Sequence, residues 1–420
     1  MTRDKLIKKI ATWIMMAVML SVFLLDIICV AMCNRYQNKF EITPAQFSSD
    51  GTADRIHFLN TYNSDAILIE SNGKFALIDS GEGDRNPRRK LSYNGSEEAV
   101  IKYLKKAAGD AEGKVTLEFA LGTHNHYDHV GTFEAIANDP DITVKTFYIK
   151  PVNREIAHEY EYNGWGIETT YADTVKAFQN RGTVVTSEIP SEPFKFGDFT
   201  LTFYNTALDD ARLHGQGENA ESVGTMVEKG KKSAFLAADI TRTTGLEGLL
   251  LPQLHKVDLL KVGHHGYYGS TSWKFAKELS PKIAIITNRL GKIYPDVKWT
   301  LTMKSHSAIF ATVDENGIIA EFTDNDEIKL SNHAAGLKNI KSRSPTAPAF
   351  LCSDSFDSAH GIGRIALIHL RELIPIAFGH EVHAASGIIP RLDSYRIIEM
   401  LPQRAEIQLL VPRLRLLEAI

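Results

Sequence analysis

Cysteine is scarce in this sequence. Only Cys29, Cys33 and Cys352 occur in 420 residues, so the middle of the chain has no disulfide framework and no thiol to act as ligand or nucleophile. An excess of positive charge is also missing. The 47 Lys and Arg against 51 Asp and Glu give a formal charge of −4, which makes no electrostatic case for wholesale binding to nucleic acid. No row of aromatic residues suggests a base-stacking channel. After Lys341 there is no lysine, asparagine or tryptophan, and arginine takes over as the cation. What remains is ordinary globular material, with 44% hydrophobic and 23% charged residues.

One long apolar run is present, "IATWIMMAVMLSVFLLDIICVAMC", interrupted only by Asp26. It reaches the roughly 20 residues that a spanning helix needs. Arg3, Lys5, Lys8 and Lys9 precede it, and only Arg35 and Lys39 follow closely, which predicts a cytoplasmic N-terminus and an exported remainder. A cleaved secretory signal is the alternative, because Asp26 shortens the uninterrupted stretch. Lipidation at Cys33 is disfavoured by the methionine in "VAMC".

The next section predicts β structure over Ile56–Leu59, Ala66–Glu70 and Phe75–Ile78, with Asn72-Gly73 as a hairpin turn. A helix follows in "GSEEAVIKYLKKAAGD", with Ser96 as N-cap and Val100, Ile101, Leu104 and Ala107 on one face. The apolar strand "VTLEFALGT" then runs into "HNHYDHVGT". Strands alternating with helices predict an α/β domain.

His124, His126, Asp128 and His129 fall within six positions, a string expected by chance in roughly one such chain in a thousand. A single tetrahedral ion could not easily take all four groups from so short a span. Two ions could, one on His124 and His126 and the other on Asp128 and His129. Further candidates close other apolar strands: Asp79 in "KFALIDSG", Asp239 in "KKSAFLAADI", and His264 and His265 in "VDLLKVGHHG". Chemistry at strand ends, on loops held by a rigid sheet, is a common arrangement.

On these residues the chain resembles the metallo-beta-lactamase superfamily of metal-dependent hydrolases. Within it, "IHFLNTYNSDAILIESNGKFALIDSG", "NAESVGTMVEKGKKSAFLAADI" and "LLKVGHHGYYGSTS" are similar to the exported hydrolase domain of ComEC-type competence proteins and to secreted phosphorylcholine esterases. The likeness covers about residues 54–330 and implies a four-layer αββα sandwich with the metals at one rim. It implies two divalent ions, zinc or alternatively manganese. His124 and His126 would hold the first, Asp128, His129 and His265 the second, with Asp239 bridging and Asp79 orienting the histidine loop. His264 would assist as a proton donor, and Tyr127, Asn219, Ser222, Tyr267 and Ser270 would lie near the pocket.

Three features depart from the wider superfamily. The usual third histidine of the first metal has only His214 as a candidate, and the ComEC-like pattern places Asn219 and Ser222 there instead. "TYNSD" stands where ComEC relatives have a glycine-rich turn. No cysteine ligand is available, which weakens an antibiotic-hydrolysing reading, and His126 speaks against the diiron oxidoreductases, which place glutamate there.

The expected organisation is a basic segment and membrane anchor over 1–40, a hydrolase domain over 41–331, and a linker with C-terminal tail over 332–420. "AIFATVDENGIIAEFTDNDEIKLS" predicts a closing hairpin with a turn at Asn316-Gly317. His360, His369, His380 and His383 in the tail match no metal-binding spacing. The expected activity is that of an exported, single-pass dinuclear phosphodiesterase in which a metal-bridging hydroxide attacks an envelope polymer or extracellular nucleic acid. The alternatives are a lactone or β-lactam hydrolase, or a metal-bearing binding or sensing domain without turnover.

Overall fold

Alternation along the strands sets the layering. In Ala66–Ser71, Ile67 and Ile69 enter one core while Ala66 and Leu68 enter another. Its neighbour Lys74–Ser80 does the same, with Ala76 and Ile78 opposite Leu77. In Lys232–Leu236, Ala234 and Leu236 face away from Phe235. Successive strand side chains leave opposite faces, so each of these sheets needs cover on both sides.

The computed structural model describes residues 2–45, 53–85 and 95–332. The tail expected over 332–420, with His360, His369, His380 and His383, lies outside the described residues from position 333 onward. One sheet has nine strands in the order Ile42–Pro44, Ile328–Asn332, Ile318–Phe322, Asp54–Phe58, Ala66–Ser71, Lys74–Ser80, Val115–Gly122, Ile142–Ile149 and Val184–Thr186. The other has seven, in the order Ala308–Ala311, Ile283–Ile286, Leu259–Lys261, Lys232–Leu236, Gly224–Lys229, Phe199–Tyr204 and Phe194–Phe196.

The core between the sheets draws on both, including Ile56, Phe58, Phe119, Phe203, Leu259 and Phe310. Phe119 meets Phe196 edge to face at 5.5 Å, with Phe194 and Phe203 close by. A second core lies between the nine-stranded sheet and the helices Glu97–Ala108, Phe133–Asn138 and Ile167–Asn180. A third lies between the seven-stranded sheet and Leu246–Leu250, Trp273–Leu279 and Pro295–Thr300. The result is the expected αββα sandwich.

Local signals hold with two differences. Asn72 and Gly73 both take positive φ, 47° and 73°, as the two-residue hairpin between their strands requires. Ser96 does stand at the N-cap of Glu97–Ala108, but its hydroxyl donates to the Glu82 carbonyl at 2.8 Å and does not cap the helix. Asn316-Gly317 turns the chain, yet the strands on either side belong to different sheets. The closing hairpin is Ile318–Phe322 with Ile328–Asn332.

The apolar N-terminal run forms one helix, Arg3–Gln37, unbroken at Asp26. At 1.5 Å per residue it is about 50 Å long. Among the described residues it is the one helix long and apolar enough to cross a membrane. Its last turns are seated on the domain. Cys29 and Cys33 are buried, and the Tyr36 ring lies 5.7 Å from His306. The Gln37 side chain donates to the Ile309 carbonyl, and Phe40 meets Phe310 edge on.

Phe119 is the anchor of the inter-sheet core, so Phe119→Ala is expected to lower unfolding stability by roughly 3–5 kcal/mol. A urea titration followed by near-ultraviolet circular dichroism measures this, and an unchanged midpoint would contradict the packing described.

Candidate metal centre

The chemistry-bearing residues leave neighbouring strands at one rim. Asp79 closes Lys74–Ser80, and His124 and His126 follow the parallel neighbour Val115–Gly122. Asp239 follows Lys232–Leu236, and His264 and His265 follow its parallel neighbour Leu259–Lys261. Asp128 and His129 lie in the short helix Tyr127–Val130. Here the backbone is bent into the left-handed region at non-glycine residues: Asp79 at φ 55°, Ala238 at 43°, His264 at 47° and His265 at 51°. Such conformations are costly and persist where surrounding structure enforces them. The enforcement is visible, since the His264 N–H donates to the Ala238 carbonyl at 2.9 Å. A Cβ on Gly263 would fall 2.2 Å from the Ile240 carbonyl oxygen, so only glycine permits that approach.

Four of the imidazoles each have one nitrogen committed to the protein. His129 Nδ1 lies 2.7 Å from Asp79 Oδ2. His265 Nδ1 lies 3.0 Å from Thr287 Oγ1, and His124 Nδ1 lies 3.1 Å from Thr123 Oγ1. His126 Nε2 lies 3.1 Å from Glu161 Oε1. The other nitrogens therefore face inward, and this fixes which nitrogen can bind a metal. His129 Nε2 is 3.2 Å and His265 Nε2 is 3.5 Å from Asp239 Oδ1. His124 Nε2 is 3.8 Å from Asp239 Oδ2 and 3.2 Å from His126 Nδ1. Asp128 Oδ2 is 3.5 Å from His265 Nε2.

These residues fit a metal on the chemistry of their donors. His129 Nε2, His265 Nε2 and Asp239 Oδ1 are buried with no aligned hydrogen-bond partner, although they converge. Buried polar atoms left so are rare and call for a partner that the chain does not supply. The ligand atoms of His124, His129 and Asp239 lie within 4.8 Å of one another, as do those of Asp128, His129 and His265. Asp239 turns one oxygen to each set.

Without an ion, charge holds the cluster together. Burial opposes a charged His265, but the Asp239 and Asp65 carboxylates overcome it and hold the imidazole at about 9. Burial likewise disfavours a charged Asp239, yet His129, His265 and His264 keep it well below the carboxylate range. His264 is lowered to about 4, chiefly by burial, with Asp239 in partial opposition.

Several contributors were not foreseen. Asp65, in "TYNSD", is fully buried, with Oδ1 accepting from the Thr287 hydroxyl at 2.6 Å and lying 3.3 Å from His265 Nδ1. The fully buried Lys261 pairs with its other oxygen and donates to the Ala238 carbonyl at 2.8 Å. Glu161 steadies His126 from the helix Glu159–Gly164, and the Trp165 ring packs 5.3 Å from the same imidazole.

Other candidates are placed differently. His214 sits on an exposed stretch with Nε2 2.8 Å from Asp209 Oδ1, and it joins none of the converging groups. Tyr127 is buried, and its hydroxyl accepts from the Arg85 N–H. The Ser270 hydroxyl closes a turn onto the Tyr267 carbonyl, while the Tyr267 ring packs 5.5 Å from His264. Ser222 lies beside His124, with Oγ 3.5 Å from Nδ1, and accepts from the Asp239 N–H at 3.3 Å.

An αββα sandwich with clustered histidine and aspartate donors at one rim is the frame of a metal-dependent hydrolase. The profile of the metallo-beta-lactamase superfamily matches residues 59–286, more than half of the chain, and the chain belongs to that superfamily. It is 25% identical over 260 residues to ComE operon protein 3 of Bacillus subtilis (strain 168), covering 60% of this chain and 29% of that protein. It is 24% identical over 224 residues to Recombination protein 2 of Haemophilus influenzae, covering 53% and 23%. The chain thus spans less than a third of the length of either relative. Among solved structures it is similar to the metallo-beta-lactamase fold protein YhfI from Bacillus subtilis, with 13% identity, a TM-score of 0.38, and 62% and 96% coverage. The Zn2+-bound PqqB from Methylobacterium extorquens gives 14% identity, a TM-score of 0.35, and 59% and 85% coverage.

Because Asp79 and Asp65 hold His129 and His265, which are candidate metal ligands, Asp79→Asn and Asp65→Asn should each lower metal affinity by roughly 10–100-fold, measured by equilibrium dialysis. Unchanged affinity would show that these carboxylates do not orient the ligands. The raised His265 also sets a pH dependence. Its folded value lies above the unfolded one near 6.5, so its stabilisation is present below that pH and lost as pH rises through about 9. Metal-free protein should therefore melt at a lower temperature at pH 9 than at pH 6.5, and this difference should shrink in His265→Gln.

Proposed function

We propose that this chain is an exported, membrane-anchored phosphodiesterase that works with two divalent ions, zinc or manganese. The observation that carries the reading is Asp239, buried between His124 on one side and His129 and His265 on the other, with one oxygen toward each. When bound, a divalent pair would supply Lewis acidity toward phosphoryl oxygens and bring the pKa of water toward neutrality. The chain's part is to hold the imidazoles in one orientation through Asp79, Thr123, Thr287 and Glu161. His264, lowered to about 4 and thus neutral at pH 7, offers the substrate a hydrogen bond in this reading and carries no ready proton.

An anionic substrate is supported by Arg289. It follows Asn288, whose side chain donates to the His265 carbonyl, and its guanidinium lies 5.2 Å over the Tyr62 ring. Among the described residues it has no carboxylate partner. The name of the Haemophilus relative, a recombination protein, favours nucleic acid among phosphodiesters. The helix Arg3–Gln37, whose first turns carry Arg3, Lys5, Lys8 and Lys9 ahead of the apolar run, supports export of the domain.

The test is cleavage of bis-p-nitrophenyl phosphate by the full chain in detergent. Turnover should vanish on chelation, return with zinc or manganese, and be lost in Asp239→Ala and His265→Ala. Bound metal without cleavage, or hydrolysis of lactones or β-lactams alone, would overturn the phosphodiester reading.

A further inference from the structure

The N-terminal helix crosses the layers of the domain as it arrives. Cys29 lies beside Thr302, with Lys298 near, in the outer helical layer of the seven-stranded sheet. Cys33 then joins the core between that sheet and its helices. Tyr36, Phe40 and Ile42 pack against the core between the two sheets, and Ile42–Pro44 becomes an edge strand of the nine-stranded one. Residues before Cys29 therefore project past the outer helices. The change is abrupt, since Ile28 is 47% exposed and Cys29 is fully buried.

The length of the projecting part matches a bilayer. Residues 10–28 carry no Lys or Arg and rise by about 28 Å, against about 30 Å for a hydrocarbon core. Lys9 marks one end, and Cys29, already seated in the domain, marks the other. Asp26 falls in the last turn before Cys29, where a carboxylate can reach the headgroups. A bilayer around this stretch meets the domain at Trp273–Leu279, Pro295–Thr300 and the turn Leu301–Ser305. Both helices pack on that turn, and the turn packs on the N-terminal helix.

This face has the composition of an interfacial belt. Two of the chain's four tryptophans stand on it, Trp273 at 52% exposure and Trp299 partly buried. Met303, one turn after Trp299, is also partly buried. Lys304 holds its ammonium 4.8 Å over the Trp273 ring, and Lys274 and Lys277 are exposed. The acids of these elements are Glu278 and Asp296, and Asp296 is engaged by Arg242 at 3.2 Å. Amphipathic indoles settle at headgroup level, and lysines beside them reach lipid phosphates while their stems stay on apolar surface.

We propose that this face lies on the headgroup layer of the bilayer that the helix spans, with Trp273 and Trp299 at the interface and the lysines around them over anionic phosphates. The lipid is a docking partner here, separate from the phosphodiester that the metal centre would cleave. The proposal rests on the membrane-anchored reading above.

Depth-dependent fluorescence quenching tests it. The full chain is reconstituted in vesicles of phosphatidylcholine and phosphatidylglycerol whose acyl chains carry bromine at shallow or deep positions. Each variant keeps one tryptophan, with phenylalanine at the other three positions, and a Leu20→Trp variant lacking the native four reports the span. Position 20 should be quenched most by deep bromine, Trp273 and Trp299 by shallow bromine, and Trp165, beside His126, by neither. Lys277→Glu together with Lys304→Glu should remove most of the quenching at Trp273 and leave position 20 unchanged. Deep quenching at position 20 with none at Trp273 and Trp299 would overturn the docking and leave the anchor intact. So would quenching at Trp165 equal to that at Trp273. Absence of lipid quenching at position 20 would overturn the anchor and the docking together.

Discussion

The electrostatic balance around Asp239 is the constraint from which the rest of the site follows. A carboxylate at 1% exposure cannot stay ionised by itself, since removing a charge from water costs many kcal/mol unless it is paired. Here it is surrounded by imidazoles, and those imidazoles are in turn held by further buried acids, Asp79 and Asp65. Asp65 would leave the cluster too negative without Lys261, which is itself fully buried and, among the described residues, pairs with no other acid. The result is an interlocked set in which each charge makes its neighbour tolerable. A divalent ion fits such a set because it takes over the positive charge that protonated histidines otherwise carry.

The sandwich serves this set by bringing strand ends from both sheets to one rim. Asp79 and the HxHxDH loop come from the nine-stranded sheet, and Asp239 and the histidine pair from the seven-stranded one. The bends that aim them are unfavourable locally, as the positive φ values at Ala238, His264 and His265 show. They are affordable only because the strands behind them are packed between three hydrophobic cores. The inter-sheet core therefore bears on the chemistry, since loosening it would relax those bends.

Much of this was legible in the sequence, for identifiable reasons. The Asn-Gly hairpin, the alternating strands and the apolar runs ending in Asp79, Asp239 and His265 are local signals, and local signals survive without a structure. The compact HxHxDH string is another of that kind. Asp65, Lys261 and Thr287 were hidden because they meet only in space, across about 200 positions, and each alone reads as a turn former, a strand lysine or a loop hydroxyl. The lysine inside the apolar "DLLKVG" was the one available hint, since a charge in so apolar a strand needs a buried partner. Ser96 and Asn316-Gly317 show the opposite limit. Their local positions were readable, but which carbonyl takes the hydroxyl and which sheet receives the chain were settled by tertiary packing.

The seating of the long N-terminal helix has a mechanical consequence. Its final turns bury Cys29 and Cys33, pack Tyr36 on His306 and bond Gln37 to the strand Ala308–Ala311, and the strand Ile42–Pro44 then pairs with Ile328–Asn332. A helix joined in this manner is a stem, not a leash. In a bilayer it would deny the domain free swivel and hold its rim at a set height and angle above the lipid. Substrates would then be sampled from a thin shell next to the membrane instead of from bulk solution.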